Sequence, residues 1–290
     1  DEDPARVPAA SESSAALLDR FAGRLDEEGL RGGFAFHREG DVEAALAGSP
    51  RRLQAEYRAP FLAHQTLEPQ NCTVWFRDGR ATVWAPTQVP DLARSAVARV
   101  LGLAVDRVEV QVMTLGGGFG RRLDVDFIAQ AAAIARAVPG RPVQTVWKRE
   151  EDTRHDFYRP ALVARCDAGL DAQGRLQAWR SVSAGPAILP QVLSRLFGLP
   201  EAFGQPDKTT VEGAHDQPYA WPAARVAHHV VPSAIPVGYW RSVGHSHQAF
   251  VTESFTDEVA ATVEQDPLAF RLALLKQHPR ASRDRKSTRL

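Results

Sequence analysis

The stretch Arg107–Trp147 reads RVEVQVMTLGGGFGRRLDVDFIAQAAAIARAVPGRPVQTVW, and its pattern decides the fold class. Valines alternate along Arg107–Met113, which predicts a strand. The glycine loop, Gly116–Gly120, comes next, and Asp124–Val138 then has the apolar spacing of a helix. Pro142–Trp147 predicts a second strand. This order of strand, loop, helix and strand is typical of an α/β unit with a crossover helix.

Outward from this unit, the chain alternates predicted helices and hairpins, so we expect a mixed α/β fold built of two-layer sheet and helix subdomains. Helices are predicted at Ser13–Gly29, Asp41–Ala47, Pro90–Leu103 (with Leu92, Ala96, Val100 and Leu103 on the apolar side), Gln248–Val263 and Asp266–Lys276. Hairpins are predicted at 72–85 and 162–184 and a further strand at Arg225–Val231, whereas 31–40, 185–222 and 238–247 are expected to be loops.

Composition excludes several classes of protein. The 290 residues carry 35 basic and 35 acidic side chains, so no overall charge favours nucleic acid. No apolar run is long enough for a transmembrane helix. Two cysteines, Cys72 and Cys166, cannot supply the four thiolates of an iron–sulfur cluster. The basic residues are mostly arginine, which indicates a GC-rich, bacterial genome, and because Met113 is the one methionine we expect a processed chain or a fragment.

The glycine loop carries the strongest chemical signal. Glycines allow close backbone approach to a ligand, and amides near a helix N-terminus favour an anion such as phosphate or pyrophosphate. The dinucleotide fingerprint fails because its third glycine position holds Arg121, and no Gly-Lys-Ser/Thr of a P-loop follows. A turn with a packing role only remains an alternative. The pair Trp240-Arg241 is a second candidate, since an arginine beside a bulky ring is placed to meet an anion.

Other catalytic and metal sites find less support. His245 and His247, with His228-His229, could be metal ligands, but neither a cysteine nor a pair of carboxylates completes the set, so we expect no protein-ligated metal. The Gly-x-Ser-x-Gly motif of serine hydrolases does not occur.

Five segments in order resemble the molybdenum-binding large subunit of the xanthine oxidase and aldehyde oxidoreductase family, most closely its isoquinoline 1-oxidoreductase beta-subunit branch. They are Ala63–Pro69 (AHQTLEP), Trp84–Gln88 (WAPTQ), Gly116–Arg122 (GGGFGRR), Trp147–Asp152 (WKREED) and Tyr239–His247 (YWRSVGHSH). The resemblance implies a molybdopterin cofactor, in its cytosine dinucleotide form, whose dithiolene holds the molybdenum without protein ligands. It places Gly117, Gly118, Phe119 and Gly120 against the cofactor, Trp240 and Arg241 near the pterin, and Gln88 in a catalytic role beside the metal.

The same resemblance implies the reaction and the partners. Relatives oxidise a carbon of an N-heterocycle or aldehyde, take the oxygen from water, and pass electrons to a small 2Fe–2S subunit, with a cytochrome c as an onward acceptor. Purine oxidation is not expected, because Arg122 and Leu123 stand where purine oxidases carry a lysine–glutamate pair. A non-catalytic nucleotide- or anion-binding module that uses the same glycine loop is the alternative function.

The family's Gly-x-Gly-Glu segment, which holds its general base, does not occur in these 290 residues. We therefore expect residues 1–54 to be a connecting segment after a missing strand-rich domain. Residues 55–279 would be a partial molybdopterin-binding domain that is inactive alone, and 280–290 a disordered or non-native tail.

Overall fold

The computed structural model describes residues 13–200 and 205–287 and contains two β-sheets. The first sheet has five strands in the order β1-β9-β8-β7-β2, and the second has four in the order β5-β4-β3-β6. The strands are β1 (Phe34–Glu39), β2 (Arg51–Ala59), β3 (Asn71–Arg77), β4 (Arg80–Ala85), β5 (Val108–Val112), β6 (Pro142–Val146), β7 (Leu162–Leu170), β8 (Leu176–Gly185) and β9 (Ala224–Val230). The mixed α/β fold class is therefore confirmed.

The four-stranded sheet contains the predicted crossover unit. Helix α3 (Pro90–Leu101) connects β4 to the parallel neighbour β5, and helix α4 (Asp126–Ala137) leads from β5 to β6 at the opposite edge. Strand β6 pairs antiparallel with β3, as β4 does, so β5 and β6 run in the same direction. Val74, Val83 and Phe127 are fully buried in the core between sheet and helices.

Helix α3 buries a different face from the predicted one. The sequence predicts Leu92, Ala96, Val100 and Leu103 on the core side, and Val100 and Leu103 do pack against the core while half-buried, but the fully buried positions on this helix are Ala93 and Val97. The helix lies against the sheet through the side with small residues, which allows a close approach. The larger Leu92 and Val100 line a groove of about 530 Å³ that α4 also borders.

The five-stranded sheet has helices on both faces, so this half of the molecule has three layers. Helices α1 (Ser14–Glu28) and α2 (Val42–Ala47) lie on one face, and α8 (His245–Thr262) with α9 (Pro267–Leu274) covers the other. The helix starts follow the sequence closely, because Ser13, Asp41 and Asp266 accept hydrogen bonds from amides of the first turns. The apolar stripe of α8 packs on the sheet.

Three regions expected to be loops contain regular structure. The segment 31–40 contains β1, an edge strand that pairs with β9. The sequence does not predict this strand because its residues are exposed or half-exposed and show no clear apolar alternation. The segment 185–222 contains α6 (Leu189–Phe197) and α7 (Lys208–Val211), and α8 begins at His245, inside the predicted loop 238–247. The predicted connecting segment thus contributes α1, β1 and α2 to the five-stranded half.

Two short helices complete the description. Helix α5 (Arg149–Arg154) follows β6, and helix α10 (Pro279–Ser287) is found where disorder was predicted. Ala281 of α10 is partly buried and packs against the core that α8 and α9 share with the sheet. Residues 288–290 of the predicted tail lie outside the described residues. Among the helices of the described part of the chain, none has the length and apolarity to cross a bilayer.

Candidate functional site

The glycine loop has a backbone that only glycine adopts readily. Gly117 and Gly120 both have φ of +106°, and Phe119 between them has φ of +52°. The loop enters a 3-10 turn at Arg121–Leu123, and α4 begins only at Asp126. The expected continuation of the loop into the N-terminus of a helix is therefore wrong, and the first turn of α4 already holds a carboxylate.

Gln88 lies directly against the glycine loop. Its side-chain Oε1 accepts a hydrogen bond from the Gly120 backbone N–H at 3.2 Å, and the backbone N–H of Gln88 donates to the Arg122 carbonyl at 3.0 Å. A Cβ on Gly118 would stand only 2.6 Å from Oε1, so glycine at this position leaves room for the glutamine. Gln88 is exposed, and its Nε2 makes no hydrogen bond within the described residues. It can therefore donate to a ligand.

The loop that carries Trp240 and Arg241 contacts Gly120 of the glycine loop from the half of the molecule that contains the five-stranded sheet. Any Cβ on Gly120 would overlap the Tyr239 carbonyl, so the two loops touch through backbone. Trp240 is half-buried, and its indole Nε1 donates to the Ala63 carbonyl at 3.4 Å. Arg241 is exposed; its carbonyl accepts a hydrogen bond from the Ser242 hydroxyl, and its guanidinium forms no hydrogen bond or ion pair with residues 13–200 or 205–287. The predicted site residues are thus brought together at the seam between the two halves.

Arg122 holds three segments of the site together and is fully buried. Its guanidinium donates four hydrogen bonds, all of 2.9 Å, to the carbonyls of Gly117, Pro86 and Glu68 and to the Glu68 carboxylate. Burial lowers the pKa of Arg122, which Glu68 opposes. The arginine that follows the glycine loop therefore fastens the loop from inside and is not available to bind an external anion.

Arg121 is also buried, so neither of the two arginines after the glycine loop is free to bind an external anion. It forms a bidentate pair with Asp126, at 2.9 and 2.8 Å, and lies 3.3 Å from Asp156. Burial alone would lower the pKa of Arg121, but hydrogen bonds and charge from Asp126 raise it. Asp156 in turn contacts His64, whose ring reaches the Tyr239 carbonyl. Sequence reasoning missed this network because His64, Asp156 and Tyr239 are far apart in the chain.

The remaining histidines do not form a metal site. Within the described ranges no group of three histidine, cysteine or acidic side chains is arranged to hold a metal ion. His228 bonds to Ser183 and the Gly185 carbonyl, and burial lowers its pKa to about 4. His247 bonds to the Thr210 carbonyl, and burial lowers its pKa to about 3. Both are neutral structural side chains at pH 7.

The site has the features that an anionic, planar ligand requires. The amides of Gly117, Gly118 and Phe119 donate to no acceptor in the part of the chain that the structure describes. The ring of Phe119 in the same loop is 42% exposed, and the exposed cation Arg241 follows Tyr239, whose carbonyl contacts Gly120, by two positions in the chain. Unpaired amides and a guanidinium bind phosphate or pyrophosphate oxygens, and an exposed ring offers a flat apolar contact.

Known proteins resemble this chain over most of its length. Residues 27–275 match the family model described as the molybdopterin cofactor-binding domain. Isoquinoline 1-oxidoreductase subunit beta of Brevundimonas diminuta is 30% identical over 278 residues, which cover 94% of this chain and 35% of that protein. A membrane-bound aldehyde dehydrogenase of Gluconacetobacter polyoxogenes, whose name specifies pyrroloquinoline-quinone, is 30% identical over 250 residues, 84% of this chain and 32% of that protein.

The fold agrees with the family match. Aldehyde oxidoreductase from Desulfovibrio gigas superposes with a TM-score of 0.68 at 21% identity, over 82% of this chain and 25% of that chain. The chain spans about a third of the length of the two curated relatives above.

Proposed function

This chain belongs to the molybdopterin cofactor-binding domain family, and on that premise we propose that it forms the cofactor seat of a molybdenum hydroxylase. The resemblance seen in five ordered segments of sequence is thereby confirmed. One observation carries the proposal: Gln88, the glycine loop and the Trp240-Arg241 loop converge at Gly120, through a hydrogen bond on one side and a backbone contact on the other.

The residues present fit the implied cofactor. The amides of Gly117, Gly118 and Phe119 would receive its anionic oxygens, and Arg241 would neutralise part of its charge. The Gln88 amide, held by Gly120 through Oε1, would point its Nε2 donor toward the reacting centre. When bound, the cofactor supplies the redox chemistry of the reaction.

The proposed reaction oxidises a carbon of an N-heterocycle or an aldehyde. That carbon loses two electrons and gains an oxygen atom from water, and protons are released to solvent. We propose that the electrons leave through a separate 2Fe–2S subunit and then a cytochrome c; Cys72 and Cys166, both buried, supply too few thiolates for a cluster within this part of the protein. The names of the relatives, which specify isoquinoline and aldehyde, support this substrate class. We propose the cytosine dinucleotide form of the pterin.

Molybdenum content tests the proposal. The polypeptide that carries this sequence in the cell is purified with and without Gly118→Val, and molybdenum per polypeptide is measured. We expect one metal in the wild type and a loss in the variant, since the branched side chain fills the space beside Gln88. Gly23→Val is the matched control, because a Cβ on Gly23 meets nothing within 4 Å.

Two outcomes would contradict the proposal. Metal-free wild type that binds a nucleotide or another anion would favour the non-catalytic module, and bound pyrroloquinoline-quinone would favour the cofactor that one relative's name specifies. Unchanged molybdenum in Gly118→Val would place the cofactor elsewhere.

A further inference from the structure

His64 lies beneath the point where the candidate site converges. Its side chain is 2% exposed, and a Cβ on Gly120 would stand 3.2 Å from its Nε2. Nε2 is 3.1 Å from the Tyr239 carbonyl, and Nδ1 is 2.9 Å from Oδ1 of Asp156. Both ring nitrogens of this histidine therefore face oxygen atoms inside the protein.

The identity of these oxygens determines the protonation state of the ring. A carbonyl only accepts, so Nε2 must carry a hydrogen. Asp156 already accepts the His64 amide on Oδ2 at 2.6 Å and the Phe157 amide on Oδ1 at 2.7 Å, and Arg121 lies 3.3 Å away. Both oxygens of Asp156 thus act as hydrogen-bond acceptors, and the neighbouring guanidinium offers further hydrogens, so Asp156 accepts from Nδ1 as well. Nδ1 must therefore also carry a hydrogen, which makes His64 a buried imidazolium.

His228 shows the opposite arrangement in the same molecule. Its Nε2 faces the Gly185 carbonyl, 3.2 Å away, but its Nδ1 faces the Ser183 hydroxyl at 2.9 Å. A hydroxyl can donate, so a neutral ring satisfies both contacts. Two buried histidines with both nitrogens engaged are thus expected to differ in charge because one meets a carboxylate and the other a hydroxyl.

We propose that His64 is a positioning residue whose imidazolium holds the Tyr239 carbonyl against Gly120 and thereby presents Arg241 beside the glycine loop. The role in ligand binding rests on the proposed function, whereas the charge of the His64 ring and the contact between Tyr239 and Gly120 do not. The charged groups that face the ring are Asp156 from the segment after α5 and Arg121 from the glycine-loop turn, and Asp126 and Asp152 lie behind them. A positive ring bonds more strongly to a carbonyl than a neutral one.

The first test is spectroscopic and uses the wild-type 290-residue chain. Two-bond proton–nitrogen correlation spectra of the chain labelled with ¹⁵N-histidine distinguish an imidazolium from either neutral tautomer. Histidine-to-glutamine variants at 64 and 228 assign the signals. We expect His64 to carry hydrogen on both nitrogens at pH 7 and His228 on Nε2 alone. A neutral His64 at pH 7 would overturn the proposal.

The second test measures the loop itself by hydrogen exchange. The amides of Val243 and His245 donate to the Trp240 and Ser242 carbonyls, so their exchange reports opening of this loop. His64→Ala should raise their exchange rate about tenfold or more, because the bond to the Tyr239 carbonyl is lost. His64→Gln should restore much of the protection, since its amide nitrogen can occupy the place of Nε2.

His278→Gln, an exposed histidine between α9 and α10, is the control and should change nothing. Equal loop exchange in wild type and His64→Ala would refute the positioning role, and if that variant does not fold, the spectra and His64→Gln decide. Neither measurement needs a bound cofactor, so an absence of molybdenum would contradict only the proposed function.

Discussion

Replacing Arg122 by lysine should destabilise the protein while conserving its charge. The guanidinium donates to four acceptors on three separate segments, and it is completely buried. A lysine presents one nitrogen with three hydrogens, so it cannot reach the Gly117, Pro86 and Glu68 carbonyls together. At least two bonds to buried acceptors are lost, at about 1.5 kcal/mol each, and we expect a total loss of roughly 3 kcal/mol.

Urea unfolding of the 290-residue chain at pH 7 measures this difference. Arg80→Lys is the matched control, because Arg80 is an exposed arginine at the β3–β4 turn and should change stability by less than about 0.5 kcal/mol. Hydrogen exchange in the glycine loop should rise in Arg122→Lys alone. A loss below about 1 kcal/mol would show that the four bonds do not hold the loop, and the assignment of Arg122 as its internal fastener would be wrong.

Three further predictions concern chemistry and pH. In the enzyme with its molybdenum cofactor bound, Gln88→Ala should slow substrate oxidation about 10- to 100-fold while molybdenum is retained, because one hydrogen bond to the reacting centre is lost. An unchanged rate of substrate oxidation in rapid-mixing experiments would contradict this role of Gln88. The folded pKa of His228, about 4, lies below its unfolded value of 6.5, so the unfolded state binds more protons and stability falls as the pH drops from 6.5 towards 4. The free energy of unfolding of wild type relative to His228→Gln should accordingly fall by roughly 2 kcal/mol between pH 7 and pH 5, and a constant difference in urea titrations would refute this. The 290-residue chain expressed alone should bind no molybdenum and reduce no dye with aldehydes or N-heterocycles, because Gln88 and Arg241 lie exposed to water, where charged contacts are weak; stoichiometric metal with turnover would contradict it.

Local chemistry made much of the fold predictable. Ser13, Asp41 and Asp266 cap helices because their side chains bond to amides only two or three residues ahead. The hairpin predicted at 72–85 is likewise local, because the Asp-Gly pair at its turn, Asp78-Gly79, favours the tight turn that joins β3 to β4. Five short segments also predicted the family, which the match over residues 27–275 confirms.

Tertiary structure decided which of these side chains meet. The sequence places Arg121 and Arg122 beside three glycines, where an anion is the natural expectation, but only the fold supplies Asp126, Asp156 and Glu68 to bury them. Similarly, α3 has two apolar sides, and packing against the sheet selects the one with smaller residues. The neighbouring sequence does not distinguish these cases, because Glu68, Asp156 and the sheet under α3 come from distant parts of the chain and only Asp126 is near its partner in sequence.

The candidate site divides in the same way. Its glycines and its exposed arginine could be found in the sequence, because a positive φ and a preset cation follow from residue type and neighbours. The contact of Gly120 with Tyr239, and the contact of His64 with Asp156 beneath it, form only where loops from the two halves of the molecule meet. Sequence alone thus determined which groups can bind an anion, and the tertiary structure decided which are free to do so, since burial and pairing depend on residues that folding brings together.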